Sequence, residues 1–447
     1  MRTSWIGCAA FVLACNDGTA SEGGAGSGES SGSDTTSTQS SSTGDESSAA
    51  DSSSADSGPG CGDADRDGYL DASCGGDDCD DANADVHPDA PDVAGPPMWA
   101  IATIDDENAT TGRLTTLALD GDGVPHVAYT AIGGLELRHA IPDDDTWSID
   151  TVDTASSPSY PIESLAIAVA SDGALHLSYE GTMGLTHAQH DGAWTLEQVP
   201  DPNGPDDIGM DIDGTALAIA GNGDVQLAYG MTGELRIATK SGGTWSSAQV
   251  YLCVSACSSP VIAIGPDAIH LAYQDSYQDA VEYAVSTGGW ISRPIVDSQA
   301  GVPTPRGVAL ALASDGLVHA SLYVEGAQVV HAQGDSSGFT SAPITDVAVG
   351  GLSSKETTAI AFDGSGALHV AYRSSGRAAG IFHATNADGT WVTEQIDDGD
   401  TGYSCAMGLD AQGDVHLAWQ DAELGAVRYA QRSAPDGIDQ DCDGVDG

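Results

Sequence analysis

One phrase recurs seven times through the middle of the chain, and it limits the fold more than any other feature. It consists of a small-apolar strand, a turn often containing Asp-Gly, and a second strand reading His-x-x-Tyr. The anchors are His126/Tyr129, His176/Tyr179, Gln226/Tyr229, His270/Tyr273, His319 with Tyr323 one place late, His369/Tyr372 and His416/Trp419. A third strand follows each, ending near His139-Ala140, His187-Ala188, Ile237-Ala238, Tyr283-Ala284, His331-Ala332, His383-Ala384 and Tyr429-Ala430. A fourth then opens on an aromatic residue: Trp147, Trp194, Trp245, Trp290, Phe339 and Trp391. Anchors stand 44 to 50 residues apart. Period-2 alternation, short strands and glycine turns at this period fit four-stranded propeller blades. The 3.6-residue stripes of a helical solenoid are missing.

The seventh repeat has only three strands, near Cys405–Asp410, Asp414–Gln420 and Ala426–Arg432. A strand of the missing form stands at the other end, Met98–Ile104, and matches Trp147–Val152 in pattern. The expectation is therefore an all-β, seven-bladed β-propeller over residues 96–433, closed three-plus-one in its last blade. Closure removes the exposed edges that an open array would leave.

The chain ends read differently. Residues 1–14 carry Arg2 and an apolar run from Trp5 to Leu13, too short to span a bilayer. Val12-Leu13-Ala14-Cys15 resembles the lipobox of bacterial lipoproteins, which implies acylation at Cys15 and an exported protein lipid-anchored to the bacterial cell envelope. Residues 15–60 form a Ser/Gly-rich linker whose segment after Cys15 lacks aromatic and large aliphatic residues, so it is expected to be disordered. With 67 acidic against 13 basic side chains, the chain carries a formal charge of −54. That charge excludes nucleic acid and anionic lipid headgroups as general partners, leaving the membrane to the N-terminal lipid alone.

Two acidic segments flank the repeats, residues 61–95 and 434–447. Asp63, Asp65 and Asp67 precede Gly68, and Asp439, Asp441 and Asp443 precede Gly444. This Asp-x-Asp-x-Asp-Gly spacing places carboxylates at positions 1, 3 and 5 of a calcium loop, with glycine at the sharp turn. The twelfth position from Asp63 is Cys74 rather than Glu, so calcium chemistry is expected without an EF-hand. Asp78-Cys79-Asp80-Asp81 through His87-Pro88-Asp89-Ala90-Pro91, together with Asp436 through Asp446, resembles the two halves of the Asp/Cys-rich motif of MopE-type metal-binding proteins. The resemblance covers about a tenth of the chain and implies a propeller inserted into a small irregular metal-binding module built from both chain ends. Candidate ligands are Asp63, Asp65, Asp67, Asp71, Asp78, Asp80, Asp81, Asp85, Asp439, Asp441 and Asp443. An all-oxygen set favours calcium; copper, with which the family name is linked, prefers imidazole or sulfur and finds only His87.

Cys61, Cys74, Cys79 and Cys442 form an even set expected to be oxidised in an exported protein. Pairing Cys79 with Cys442 and Cys61 with Cys74 would lock the ends, and two other connectivities stay open. Cys253 and Cys257 suit a local bridge, and Cys405 a buried small apolar position.

The repeated His and Tyr residues read as inter-blade hydrogen bonding and packing, and the aromatic residues as core. Function is then sought where the pattern breaks. Loops between repeats and loops after each Tyr share one face, offering Tyr160, Glu180, Asp275, Arg306, Glu325, Arg373, Tyr403 and Asp421. No nucleophile-base ordering, phosphate loop or zinc spacing stands out among them. Sialidase-like propellers use an arginine cluster and a Ser-x-Asp-x-Gly-x-Thr-Trp box, of which Ser171-Asp172-Gly173 keeps a scrap. The expectation is a monomeric surface binding or scaffold protein for a protein or glycan ligand. Secreted glycan hydrolase or lyase activity and metal scavenging are the alternatives.

Overall fold

The computed structural model describes residues 99–107, 111–144, 146–157, 161–181, 184–200, 212–296, 305–324, 328–345, 357–375, 379–387, 389–399, 402 and 404–432, with Tyr69 and Pro88. Residues 1–14 and 97–434 make up one compact unit, and residues 15–96 with 435–447 a second. The expected lipidation site Cys15, all eleven candidate metal ligands, and Cys61, Cys74, Cys79 and Cys442 lie outside the described residues. Among the described residues no helix is long and apolar enough to cross a membrane.

The first unit is an all-β propeller. Its first sheet is built from β2 (Thr115–Leu119), β3 (Pro125–Ala131), β4 (Glu136–Asp143) and β5 (Thr146–Thr154). The second comprises β6 (Leu165–Val169), β7 (Leu175–Gly181), β8 (Gly184–His190) and β9 (Trp194–Gln198). Next come β10 (Ile212–Ile219), β11 (Val225–Ser241), β12 (Thr244–Ile264), β13 (Ile269–Asp275), β14 (Ala280–Ser286) and β15 (Trp290–Val296) in one six-stranded sheet. Two four-stranded sheets follow: β16 (Pro305–Leu312), β17 (Val318–Val324), β18 (Gln328–Asp335) and β19 (Gly338–Pro343), then β20 (Ala359–Phe362), β21 (Leu368–Ser374), β22 (Gly380–Thr385) and β23 (Val392–Asp398). The last sheet joins β24 (Cys405–Leu409), β25 (Val415–Asp421) and β26 (Ala426–Arg432) to β1 (Ala100–Asp105).

Hydrogen bonding thus gives six sheets rather than seven separate ones. The cause lies in the third and fourth repeats, where β11 and β12 run on through positions at which other repeats break into loops. β11 pairs with β10 up to Met231 and with β12 from Thr232 onward; β12 in turn pairs with β13 from Cys257. A side chain at Gly230 would collide with the Cys257 carbonyl, so only glycine lets β11 pass β12 there.

Apolar residues at alternate strand positions make seven buried clusters among the described residues, each drawn from two successive repeats. Alanines such as Ala128, Ala140, Ala188 and Ala284 are fully buried. Their small side chains let neighbouring sheets pack closely.

Closure depends on β1. Ala100 lies opposite Gln431 and Thr103 opposite Arg428, so the first strand of the chain completes its last sheet. The buried Asp105 then reaches the first sheet. Its Oδ2 accepts from the Tyr129 hydroxyl at 2.7 Å and from Arg138 Nη1 at 2.8 Å. Asp153, at the same place in β5, accepts from Tyr179 of the second sheet at 2.7 Å. Arg138 is also held by Glu136 and Glu107. Removing Asp105 leaves Arg138 its two glutamates but takes the acceptor from the buried Tyr129 hydroxyl, which costs about 2 kcal/mol. Asp105→Ala should therefore lower stability by about that much in denaturant unfolding. The surface substitution Asp122→Ala should change it by less than about 0.5 kcal/mol.

Candidate functional site

Ring atoms on second and third strands lie within hydrogen-bonding distance of one another. Nδ1 of the second-strand histidine stands 3.0 Å from Nε2 of the third-strand histidine in His126/His139, and 2.9 Å in His176/His187, His319/His331 and His369/His383. Tyrosine takes the third-strand place in His270/Tyr283 (2.7 Å) and His416/Tyr429 (2.6 Å). In the remaining repeat Thr239 donates to Gln226 at 2.7 Å. These histidine bonds run within a sheet rather than between sheets, because the paired rings stand on adjacent strands and one sheet face; the expected bonds between sheets come from tyrosines, Tyr129 to Asp105, Tyr179 to Asp153 and Tyr323 to the Arg373 carbonyl.

The contact between repeats is ring on ring. The aromatic residue opening each fourth strand packs edge-on against the third-strand ring of the repeat before it. The pairs are Trp194/His139, Trp245/His187, Phe339/Tyr283, Trp391/His331, Trp99/His383 and Trp147/Tyr429, with centroids 5.0–5.6 Å apart. Trp290 occupies the same place against the cluster containing Ile237. Such pairs add about 0.5–1.5 kcal/mol beyond the area they bury.

A carboxylate on the fourth strand completes three of the histidine pairs. His187 Nδ1 lies 2.8 Å from Glu197, His383 Nδ1 lies 2.8 Å from Glu394, and His139 Nδ1 lies 3.5 Å from Asp150. Lys240 bonds Glu197 from the next repeat, and the Trp194 indole N–H donates to Asp150 at 2.9 Å. Asp363 and Asp410 approach His369 and His416 from the turns between the first and second strands at 3.3 and 3.4 Å. Burial first, and the partner imidazole second, push the pKa of His139, His176, His331 and His369 down to about 4. The sequence reading missed these carboxylates. Their signal is the spacing Trp147-x-x-Asp150, Trp194-x-x-Glu197 and Trp391-x-x-Glu394.

Five of the eight pattern-breaking residues are described, and they stand at corresponding ends of their strands. Glu180, Asp275, Arg373 and Asp421 stand at or near the ends of β7, β13, β21 and β25. Arg306 starts β16 opposite Tyr323, which puts it at the same end. Tyr160, Glu325 and Tyr403 lie outside the described residues. Asp275 is buried and spent on its own turn, accepting from the Tyr277 and Gln278 amides and from Gln278 Nε2. Asp421 accepts from the Leu424 amide and stands 3.7 Å from Arg428. The Arg373 amide donates to the Tyr323 hydroxyl at 2.8 Å. Beside these residues β12 carries a disulfide between Cys253 and Cys257, with Leu252 and Val254 exposed around it. The Cys405 thiol is buried and donates to the Thr357 carbonyl. Among the described residues no group of three or more His, Cys, Asp or Glu side chains is disposed to hold a metal ion.

No family model matches the sequence, and comparison with curated proteins finds no similar one. Solved structures do resemble the chain. Virginiamycin B lyase from Staphylococcus aureus matches with a TM-score of 0.50 at 12% identity, over 74% of this chain and 98% of that one. The six-bladed β-propeller fungal lectin of Aleuria aurantia matches with a TM-score of 0.45 at 15% identity, over 66% and 98%. A protein of unknown function from Dyadobacter fermentans matches with a TM-score of 0.46 at 11% identity, over 77% and 99%. The likeness is one of fold alone.

Proposed function

We propose that this chain is a non-enzymatic binding scaffold, tethered to the bacterial cell envelope, that presents a protein or glycan ligand site on one face of a propeller. One observation carries the reading: the chemically capable side chains divide by role. The repeating His, Tyr and Trp residues bond to one another within and between repeats. The non-repeating charged and polar ones gather at a single end of the sheets. A rigid frame displaying varied loops is how many scaffolds place binding residues.

The ring counts as seven blades in this reading. β11 supplies the second and third strands of the third blade, and β12 supplies its fourth strand and the first of the next. Seven apolar clusters, each between successive repeats, support the count.

The split acidic motif acts as a calcium clasp on the closure. Pairing of Ala100 with Gln431 brings the two exits of the chain from the propeller side by side, which supports the two halves meeting. Acylation at Cys15 and the linker to residue 60 would hold the propeller off the membrane as a monomer.

Binding is tested with glycan and envelope-protein arrays. A specific ligand is expected, weakened about tenfold or more by Arg306→Ala, Arg373→Ala or Glu180→Ala and unaffected by Asp122→Ala on the opposite turns. Turnover of an array glycan would overturn the non-enzymatic reading. For the clasp, thermal unfolding of residues 61–447 is compared in calcium and in chelator. A site at 1,000 times its dissociation constant adds about 4 kcal/mol. The gain should vanish with Asp441→Asn and Asp443→Asn together, and an equal midpoint in calcium and chelator would remove the clasp.

A further inference from the structure

We infer, resting on the reading of this end of the sheets as a binding face, that the bulge of β12 and the turn after β13 form a rigid apolar lip. Its partner is a basic protein segment with aliphatic side chains at alternate positions.

Register sets the lip. β11 advances from Thr232 to Glu234 while β12 runs from Ala256 back to Leu252, two residues against four, so β12 bulges out of the ladder. Alternation holds along the bulge: Cys253 is buried, while Leu252 and Val254 turn outward, 68% and 73% exposed. Cys257 pairs with Asp275 of β13, and the Ala256 carbonyl accepts from the Ser276 amide at 3.1 Å. The turn between β13 and β14 therefore runs beside the bulge, and it carries Tyr277, 64% exposed. Among the described residues these three are the most exposed large hydrophobic side chains.

Single exposed apolar residues are ordinary, but a cluster of them on pinned backbone marks a contact surface. The Cys253–Cys257 disulfide brackets the bulge, and both cysteines belong to the buried cluster that contains Leu235 and Tyr273. Tyr251 packs its ring 5.7 Å from that of Tyr273 at the foot of the bulge. Buried Asp275 accepts from the Tyr277 and Gln278 amides and so fixes the turn. Backbone held in this way loses little freedom when a partner arrives.

The chemistry of the lip selects the partner. Leu252 and Val254 stand two residues apart on one side of a strand, the spacing at which an extended chain presents its own side chains. Aliphatic groups cannot bond the hydroxyls of a glycan, which would lose water and gain no partner. Charge opposes a second copy, since each chain carries −54. The same charge, with exposed Asp279 in the Tyr277 turn, draws segments rich in lysine and arginine.

Fluorescence anisotropy on the full chain tests this with a labelled peptide of alternating lysine and valine. It should bind about tenfold more tightly than one of alternating lysine and serine. The preference should persist at about 0.5 M salt, where attraction by charge alone is screened. Leu252→Ser with Val254→Ser, or Tyr277→Ser alone, should remove the preference and leave the unfolding midpoint unchanged, because all three side chains face water. Asp122→Ala should keep it. Where the double variant lowers the midpoint, Tyr277→Ser decides. Equal binding of the two peptides, an unchanged preference in the variants, or tighter binding to phosphatidylcholine vesicles than to the peptide would each overturn the inference. An array ligand weakened by Arg373→Ala but not by Leu252→Ser with Val254→Ser would overturn the lip and leave the binding face standing. No array ligand at all would overturn the face itself.

Discussion

The antiparallel ladder between β1 and β26 is the constraint on which the propeller rests. Each sheet shields one face of the next, so a ring left open would expose two apolar faces and a strand edge. β1 prevents this with six residues, of which only Ile104 and Asp105 are buried. Its backbone bonds finish the last sheet, Trp99 packs on His383, and Asp105 passes on to Tyr129 and Arg138. Residues near opposite ends of the sequence thus hold three successive sheets together.

Within the closed ring one device is repeated with substitutions that keep its geometry. An imidazole or phenol on the third strand takes a hydrogen bond from one side and an aromatic edge from the other. Burial keeps the imidazoles neutral, and neutrality lets two rings stack with one shared hydrogen bond. The same neutrality ties the ring to pH, because acid strong enough to charge these buried imidazoles opposes their burial. A frame held this way leaves its loops free to vary, and variation at one end of the sheets is what a recognition surface needs.

Much of this was legible in the sequence because the repeat carries it. The spacing of His126, His176 and the later anchors gave the strands, and the likeness of Trp99–Ile104 to Trp147–Val152 gave the closure. Less was legible where local pattern and tertiary context part. Nothing in residues 225–264 announces that strands run on without a break; Gly230 passing beneath Cys257 decides it. The direction of the histidine bonds is not legible, because sequence order does not say which rings stand diagonally on one face. Asp275 reads as a free acid by type, yet three donors from its own turn occupy it.

Strand complementation tests the account most directly. A chain beginning at residue 111 lacks β1 and should unfold at a lower midpoint, with β24–β26 exchanging early. A synthetic peptide of residues 97–107 should bind it and restore cooperative unfolding, and the same peptide with Trp99→Ala and Asp105→Ala should not. If the shortened chain unfolds at the midpoint of the intact one and ignores the peptide, closure by β1 is not what holds the ring.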